Sequence, residues 1–199
     1  MRRLKNVVII LAAIILVVMA ASTFVENAEG TAFSHSHIYG TWWFTVLWAA
    51  FAISGTAYII GMKLYRKPAV FLLHCSFIVI LAGALTTFLT AESGIMHLRK
   101  GESAQAFVNA DSVSTFLGFD VQLKSFEIRY YPGTDAPMDY VSHIKAGDAD
   151  LGISMNNIGR YHGYRFTQSG YDSDMQGTTL GVSHDVWGIR ITYAGYALL

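Results

Sequence analysis

The chain has 199 residues, of which 53% are apolar and only 14% are Asp, Glu, Lys or Arg, whereas a soluble domain carries about 25% charged residues. The charge is also uneven, because residues 1–90 hold six basic and two acidic side chains and residues 91–199 hold eight basic and twelve acidic ones. This composition excludes a single ordinary soluble domain, a disordered chain and a basic protein that binds nucleic acid. It predicts a membrane-embedded first half and a water-exposed second half.

Three uncharged segments predict transmembrane helices. Residues 7–25, 42–62 and 69–91 are runs of 19, 21 and 23 residues without a charge, and a bilayer core needs about 20 helical residues. Residues 191–199 are apolar too, but a helix of nine residues reaches only about 14 Å. We therefore expect residues 188–199 to be the truncated start of a fourth transmembrane helix.

The basic residues of the first half predict the orientation of these helices. They cluster at 2–5 and 63–67, and the loop at 26–41 has no Lys or Arg. By the positive-inside rule, the N-terminus lies in the cytoplasm and residues 92–187 lie outside. We therefore expect a multi-pass protein of the cytoplasmic (inner) membrane. The first segment has a second interpretation, a signal peptide cleaved near Ala20-Ala21-Ser22, although its apolar run is near the upper limit for one.

Residues 92–187 have the alternation of a β-rich extracytoplasmic domain. Phe119, Val121 and Leu123 share one phase, and Phe126, Ile128 and Tyr130 share the other. The slip between them, near Lys124-Ser125, predicts a β-bulge or a bend. Alternation recurs at Leu151, Ile153 and Met155 and at Tyr164 and Phe166, and turn residues separate the runs at 132–133, 146–148, 156–157 and 162–163. The expected fold class is thus an α-helical membrane protein with an extracytoplasmic β-rich domain.

One of the seven histidines lies inside a predicted span. His74 is the sixth residue of the third segment, about 7 Å from its start. An ionisable side chain at membrane depth is costly and is kept mainly where it binds or relays something, and a neutral imidazole is a good axial ligand for haem iron. The alternative is a structural histidine that bonds Thr56 or Ser54 of the second segment. The spacing of the residues does not decide between these two interpretations.

The other candidate residues point to no catalytic site. His35 and His37 belong to the outer loop, as solvated residues or as part of a site near the outer interface. Ser183-His184-Asp185 cannot form a triad on a strand, where neighbours face opposite sides, so we expect a turn there. Cys75 is the only cysteine, which excludes an intrachain disulfide and a cysteine-based zinc site. No nucleotide-binding or hydrolase motif is present.

Several stretches, in this order and spacing, together resemble one family. They are Thr23–Glu26 with Gly30-Thr31, Ile38–Phe44, Ser154–Asn157, Gly163–Asp172, His184–Gly188 and Ile191–Tyr196. They are similar to the ResB/CcsB family of system II cytochrome c maturation. The pattern departs from the family at Val186, where Pro is usual.

The resemblance implies a function in haem handling. Proteins of this family work with a CcsA-type haem-handling membrane protein, separate or fused. The pair binds haem b in transit and moves it from the cytoplasmic side of the membrane to the outer face. There the haem is attached to apocytochrome c. His74 occupies the place of the family's transmembrane histidine, so the resemblance implies that it is an axial ligand of haem iron. The opposing ligand would belong to the CcsA half, and this chain would be at most a subunit of a holocytochrome c synthase complex.

Two other classes remain as alternatives. One is a b-type haem electron-transfer subunit, which normally has two facing intramembrane histidines. The other is a membrane-anchored structural or sensor protein whose β domain binds a partner outside and which contains no haem.

Overall fold

The computed structural model describes residues 1–110 and 112–199, and of Ala32 it describes only the backbone. The chain divides into two compact units. One contains Met1–Thr90 and Trp187–Leu199 and is helical, and the other contains Ala91–Val186 and is a β domain.

Helices make up the first unit. They are α1 Arg2–Glu29, α2 Thr31–Ser34, α3 Trp42–Gly61, α4 Pro68–Thr90 and α5 Val186–Ala197, with a π-helical turn at His35–Tyr39 and a 3₁₀ turn at Leu64–Arg66. Helices α1, α3 and α4 are long and apolar enough to cross a membrane, which confirms the prediction of three such helices. Most of their side chains stay exposed within the chain, and an apolar exposed surface suits contact with lipid or with other helices.

The ends of these helices follow local rules. Helix α1 is longer than its uncharged core, because Arg2, Arg3 and Lys5 at its start and Glu26 and Glu29 at its end continue the same helix. Helix α4 begins at Pro68, where the fixed φ of proline and its missing N–H are tolerated in the first turn.

Small residues bring α5 close to α4. A Cβ atom added at Gly83 would lie 2.7 Å from the backbone N of Thr192, and one added at Gly195 would lie 2.9 Å from the backbone N of Ile80 and 3.1 Å from the carbonyl O of Ser76. Gly83, Gly195 and Ser76 are all buried. Helices in membranes pack tightly through such residues, because small side chains let the backbones approach.

This packing predicts that Gly195→Ala lowers the stability of the helical unit. The added methyl group meets backbone atoms of α4, so the helices must separate, at a cost of about 1–3 kcal/mol. Gly55→Ala is the matched control, because a Cβ at Gly55 has no atom within 4 Å and alanine favours a helix. Thermal unfolding of the detergent-solubilised protein should show a lower Tm for Gly195→Ala alone. Equal Tm values for the two variants would contradict the packing described here.

The β domain is one antiparallel sheet of eight strands in the order β5-β4-β3-β2-β1-β8-β7-β6. The strands are β1 Glu92–Arg99, β2 Ser103–Val108, β3 Ser114–Tyr130, β4 Pro137–Ala146, β5 Ala149–Ile153, β6 Gly159–Tyr161, β7 Tyr164–Tyr171 and β8 Gly177–His184. The two edge strands, β5 and β6, follow each other in the chain across a turn bridged by Ser154 and Asn157. The sheet therefore curls on itself into a barrel-like domain.

The barrel interior holds the core of the domain. Seven of the eight strands contribute buried apolar side chains, of which the largest are Leu98, Phe107, Leu123, Ile144, Ile153, Phe166 and Leu180. Three polar side chains are hydrogen-bonded to one another beside this apolar core. The Ser142 hydroxyl donates to Gln168 Oε1 at 2.6 Å, and the Gln168 amide donates to Thr178 Oγ1 at 2.9 Å. These bonds satisfy hydroxyl groups that would otherwise be buried without partners.

The sequence prediction of a bulge in the longest strand is confirmed. The register of β3 against β4 shifts between Leu123 and Ser125, so Lys124 is the extra residue and the inward-facing phase changes there. A second expectation is corrected, because the alternation that includes Met155 stops at Ile153. Met155 lies in the turn after β5 and is 61% exposed, since the Ser154–Asn157 bridge reverses the chain at that point.

The link between β8 and α5 also differs from the expected turn at Ser183-His184-Asp185. Ser183 and His184 continue β8, because both pair with β1 and β7. Only Asp185 lies between the strand and the helix. Asp is favoured directly before the first turn of a helix, which accounts for the abrupt change from strand to helix.

Tyr161 of the edge strand β6 contacts the turn between β4 and β5. Its hydroxyl donates to Asp148 Oδ1 at 2.7 Å, in the turn between β4 and β5. This bond lowers the pKa of Asp148 and raises that of Tyr161. The ring lies against Gly147, where an added Cβ would be 2.8 Å from Tyr161 Cζ. Gly147 also has φ +57°, so glycine is required there for both its conformation and its size.

The closure predicts that Gly147→Ala destabilises the β domain more than Gly133→Ala. Both glycines have positive φ, but a Cβ at Gly133 has no atom within 4 Å, so that variant reports the conformational cost alone, about 1–2 kcal/mol. The difference between the two free energies of unfolding, measured with denaturant, isolates the contact with Tyr161. Equal values would show that the ring does not hold the turn.

Candidate functional site

His74 lies on α4 and has one of its two ring nitrogens bonded. Nδ1 lies 2.7 Å from the carbonyl O of Val70, one helical turn earlier. A carbonyl oxygen only accepts hydrogen bonds, so Nδ1 carries the proton and the neutral ring has its lone pair on Nε2. Among the described residues, Nε2 has no hydrogen-bond partner. The imidazole is therefore oriented by its own helix and presents a free nitrogen donor atom.

The alternative structural role of His74, a bond to the neighbouring helix, is absent from the described part of the chain. Ser54 Oγ donates to the carbonyl O of Ala50 at 2.8 Å, and Thr56 Oγ1 donates to that of Ala52 at 2.8 Å. Both hydroxyl groups thus serve their own helix. In an apolar environment a hydroxyl satisfies itself in this way when no better partner is near.

The surroundings of His74 are apolar and open. The side chain is half-buried, and Phe71 and Phe77 on the same helix are 38% and 52% exposed. Cys75 is partly exposed and points about 100° away around the helix, so it does not share the imidazole's face. A flat apolar molecule or a partner helix can therefore reach Nε2 from outside the chain.

His35 and His37 lie in the π-helical turn rather than on an extended segment. Two residues two positions apart do not share a face of a helical turn, so these histidines do not converge. His37 stacks on Phe33 with ring centroids 4.1 Å apart, and its Nδ1 lies 3.1 Å from the carbonyl O of Phe33. In the ranges 1–110 and 112–199, no group of three or more His, Cys, Asp or Glu residues can hold a metal ion.

Two histidines meet in an aromatic cluster of the β domain that sequence reasoning did not find. His184 stacks on Tyr164 with ring centroids 4.4 Å apart, and His162 lies 4.3 Å from Tyr161. Phe119 contacts both tyrosine rings. The ring centroids of neighbouring members lie 4.3–6.1 Å apart, which is the range of aromatic contact. Tyr161, His162 and Tyr164 belong to one hairpin, but no sequence signal could have brought Phe119 of β3 and His184 of β8 to them, because those strands are distant in sequence.

A charged cluster lies where β1 ends and β7 turns into β8. Arg99 donates to Asp172 Oδ2 at 2.7 Å and pairs with Asp174, and His97 Nε2 lies 2.9 Å from Asp172 Oδ1. The hydrogen bond from Arg99 lowers the pKa of Asp174. A carboxyl group with a lowered pKa in the folded state contributes stability above its unfolded value, and this contribution is lost as the pH falls through the folded pKa.

The cluster predicts that Arg99→Gln raises the pKa of Asp174 towards its ordinary value. The part of the acid dependence that comes from Asp174, below its ordinary pKa of 3.8, should then become smaller in the stability profile, while the backbone hydrogen bond from Gln176 keeps the rest. Carboxyl chemical shifts of Asp174 in a pH titration by NMR check the change directly. Lys124→Gln removes a basic residue of the same domain outside the cluster and should leave the Asp174 titration unchanged. An unaltered titration in Arg99→Gln would exclude the ion pair as the cause.

The structure thus combines three apolar membrane-length helices, one of which contains His74, with an antiparallel, barrel-like β domain. The model of the ResB-like family matches residues 55–188, which include α4 with His74 and all eight strands. The chain belongs to the ResB-like family.

The chain is also similar to two individual proteins. The chain is 27% identical to the protein NrfI of Wolinella succinogenes, in an alignment that covers 90% of this chain and 32% of NrfI. It therefore spans about a third of the length of that relative. Among solved structures, the cytochrome c haem lyase CcmF aligns with 94% of this chain and 32% of its own, at 10% identity and a TM-score of 0.46.

Proposed function

We propose that this chain is a haem-binding component of system II cytochrome c maturation. It binds haem through His74 and, together with a CcsA-type partner, passes it across the cytoplasmic membrane for attachment to apocytochrome c. The observation that carries the proposal is the free Nε2 of His74 inside an apolar helix. Membership of the ResB-like family supports the proposal. The resemblance of the sequence to this family implies a function in cytochrome c maturation.

The hydrogen bond of His74 suits an iron ligand. Histidines that bind metal usually donate their other ring N–H to a carbonyl or carboxylate, which fixes the ring and raises the basicity of the ligating nitrogen. The bond from Nδ1 to Val70 has this arrangement. Haem is cargo here, and His74 would hold its iron during transit, when ligation and a dry environment tune the redox state.

One histidine supplies one axial position. In the helices described here, His74 is the histidine that lies within a membrane-length segment, so a second axial ligand would come from the CcsA-type partner. The exposed Phe71 and Phe77 beside it leave room for partner helices to enclose the haem. A b-type electron carrier would instead supply both axial ligands from its own chain. The source of the second ligand therefore distinguishes the two functions.

Covalent attachment requires no nucleophile from this chain. The thiol groups of the Cys-x-x-Cys-His segment of apocytochrome c add to the vinyl groups of haem. In this proposal the β domain lies on the extracytoplasmic side, as the basic residues at 2–5 and 63–67 indicate. There it would shape the chamber in which haem and apocytochrome meet.

The test is the haem content of His74→Gly purified from membranes with a co-expressed CcsA-type partner. We expect the haem absorbance per mole of complex to fall about tenfold, which corresponds to about 1.4 kcal/mol of binding free energy. Added imidazole should restore it, because the small ligand can enter the space of the missing side chain and bind the iron.

Cys75→Gly is the matched control. It introduces the same flexible residue at the next position of α4 and leaves the imidazole in place, so it should retain its haem. Unchanged haem in His74→Gly would refute the ligand assignment. Stable haem in this chain purified without a partner, with reversible redox titration, would favour a b-type electron carrier instead.

A further inference from the structure

The longest strand of the β domain has a free edge. Strand β2 reaches only to Ser103, which pairs with Gln122, but β3 continues to Tyr130. From Ser125 to Tyr130, β3 pairs with β4 on one side. On its other side, the described part of the chain supplies no backbone hydrogen-bond partner. We call this stretch the β3 edge. Its unpaired N–H and C=O groups are a template on which a further strand can pair.

The β3 edge lacks the residues that usually protect a free edge. Proteins prevent edge-to-edge pairing with proline, with lysine or with a bulge. Proline, lysine and glycine are absent between Ser125 and Tyr130, whereas the free end of β4 begins at Pro137. Residues from Ser125 to Arg129 pair with β4 without a shift of register. The edge is therefore a regular strand that can accept a neighbour.

The side chains along the β3 edge are arranged symmetrically about Ile128. Glu127 and Arg129 flank it, and Phe126 and Tyr130 come next on either side. Arg129 Nε donates to Glu127 Oε1 at 2.9 Å, so the two charges share one face, and their side chains are 50% and 48% exposed. The three apolar or aromatic residues alternate with them and share the other face. A second, antiparallel copy of this edge is therefore complementary to it in charge.

Antiparallel pairing of two β3 edges has one register that suits all of these side chains. With Ile128 opposite Ile128 of the second copy, Glu127 lies opposite Arg129 and Phe126 lies opposite Tyr130, and two-fold symmetry makes each pair occur twice. A register with Glu127 opposite Glu127, or Arg129 opposite Arg129, sets like charges against each other, which is destabilising. A shift by one residue moves the apolar side chains to the charged face.

We infer that the β3 edge is a dimerisation surface, at which two copies of this chain pair their β3 strands antiparallel about Ile128. Each copy adds a strand to the sheet of the other and gives partners to its unpaired backbone groups. Cross-strand pairs of opposite charge and of aromatic rings stabilise a sheet, and both kinds occur twice in this register. The inference does not depend on His74 or on haem, so it goes beyond the proposed function.

The test is the mass of the detergent-solubilised chain, measured by sedimentation equilibrium in density-matched detergent over a range of protein concentrations. The wild-type chain should dimerise reversibly. Glu127→Arg and Arg129→Glu each set like charges opposite each other at two places, so each should weaken dimerisation about tenfold. The double variant Glu127→Arg/Arg129→Glu exchanges the two charges and should dimerise as the wild type does.

A mixture of the two single variants separates pairing from general damage to the fold. One variant then has two basic residues on its edge and the other has two acidic ones, so mixed dimers should form although each variant alone stays largely monomeric. Arg160→Glu is the matched control, because it changes the net charge as Arg129→Glu does, at an exposed residue of β6. It should dimerise as the wild type does.

A pair of cysteine variants keeps the test valid if the charge variants do not fold. In a Cys75→Ser background, Ile128→Cys places two thiol groups opposite each other across the interface. Tyr140 is the partner of Ile128 on β4, so Tyr140→Cys places the thiol groups three strand spacings apart, about 14 Å. Mild oxidation should cross-link two chains in the first variant and not in the second.

Three outcomes would overturn the inference. A wild-type chain that is monomeric at every concentration would leave the edge to a different polypeptide. A dimer that neither charge reversal weakens would lie at another surface, such as the exposed helices. Equal cross-linking of the two cysteine variants would exclude the register about Ile128.

Discussion

The hydrogen bond from His74 to the carbonyl of Val70 fixes the tautomer of the histidine that lies within a membrane-length helix. An imidazole in an apolar helix costs free energy unless at least one of its nitrogens is satisfied. The preceding helical turn supplies that partner at 2.7 Å. Because the partner is a backbone carbonyl, the proton is confined to Nδ1 and the lone pair to Nε2. The same bond therefore lowers the cost of placing the residue in an apolar helix and leaves Nε2 without a hydrogen-bond partner among the described residues.

Helix α4 uses its two faces for different purposes. One face has His74 and, further along, the large apolar side chains of Leu81, Leu85 and Phe88, which line a cleft against α3. The other has Ser76 and Gly83, against which α5 packs so closely that an added Cβ would meet backbone atoms. Small side chains give a rigid helix pair, while large ones leave a space between helices that do not fit closely. Helix α4 is thus closely packed against α5 on one side and lines a cleft against α3 on the other.

Local patterns predicted the parts of the fold that depend on neighbours in sequence. The apolar runs predicted α1, α3 and α4, and the change of phase after Leu123 predicted the bulge in β3. Gly147 in a turn was also foreseeable, since glycine accepts its positive φ. Charged residues at helix ends were harder to place, because Glu26 and Glu29 continue α1 beyond its apolar core, and a helix does not need apolar residues outside the bilayer.

Contacts between distant segments could not be predicted in the same way. Barrel closure depends on Tyr161 meeting Asp148 and Gly147, and nothing local to Tyr161 indicates that pairing. His184 stacks on Tyr164 because β8 pairs with β7, and a single sequence does not reveal that order of strands. The candidate site, unlike these contacts, could be predicted from the sequence. His74 could be singled out because its only unusual property, a titratable ring within an apolar run, is visible in the sequence itself.

The stretch that most resembles the family does not contain the candidate ligand. Between Ser154 and Asp172, Phe166 fills the barrel core, Gln168 joins the buried polar group and Asp172 holds Arg99 and His97. These side chains build the β domain and have no free donor atom directed at a ligand. The family pattern therefore identifies the scaffold, whereas the proposed chemistry depends on one imidazole in another unit of the chain. Under the proposed function, replacing His74 would remove one ligand of the iron and leave the side chains that build the β domain unchanged.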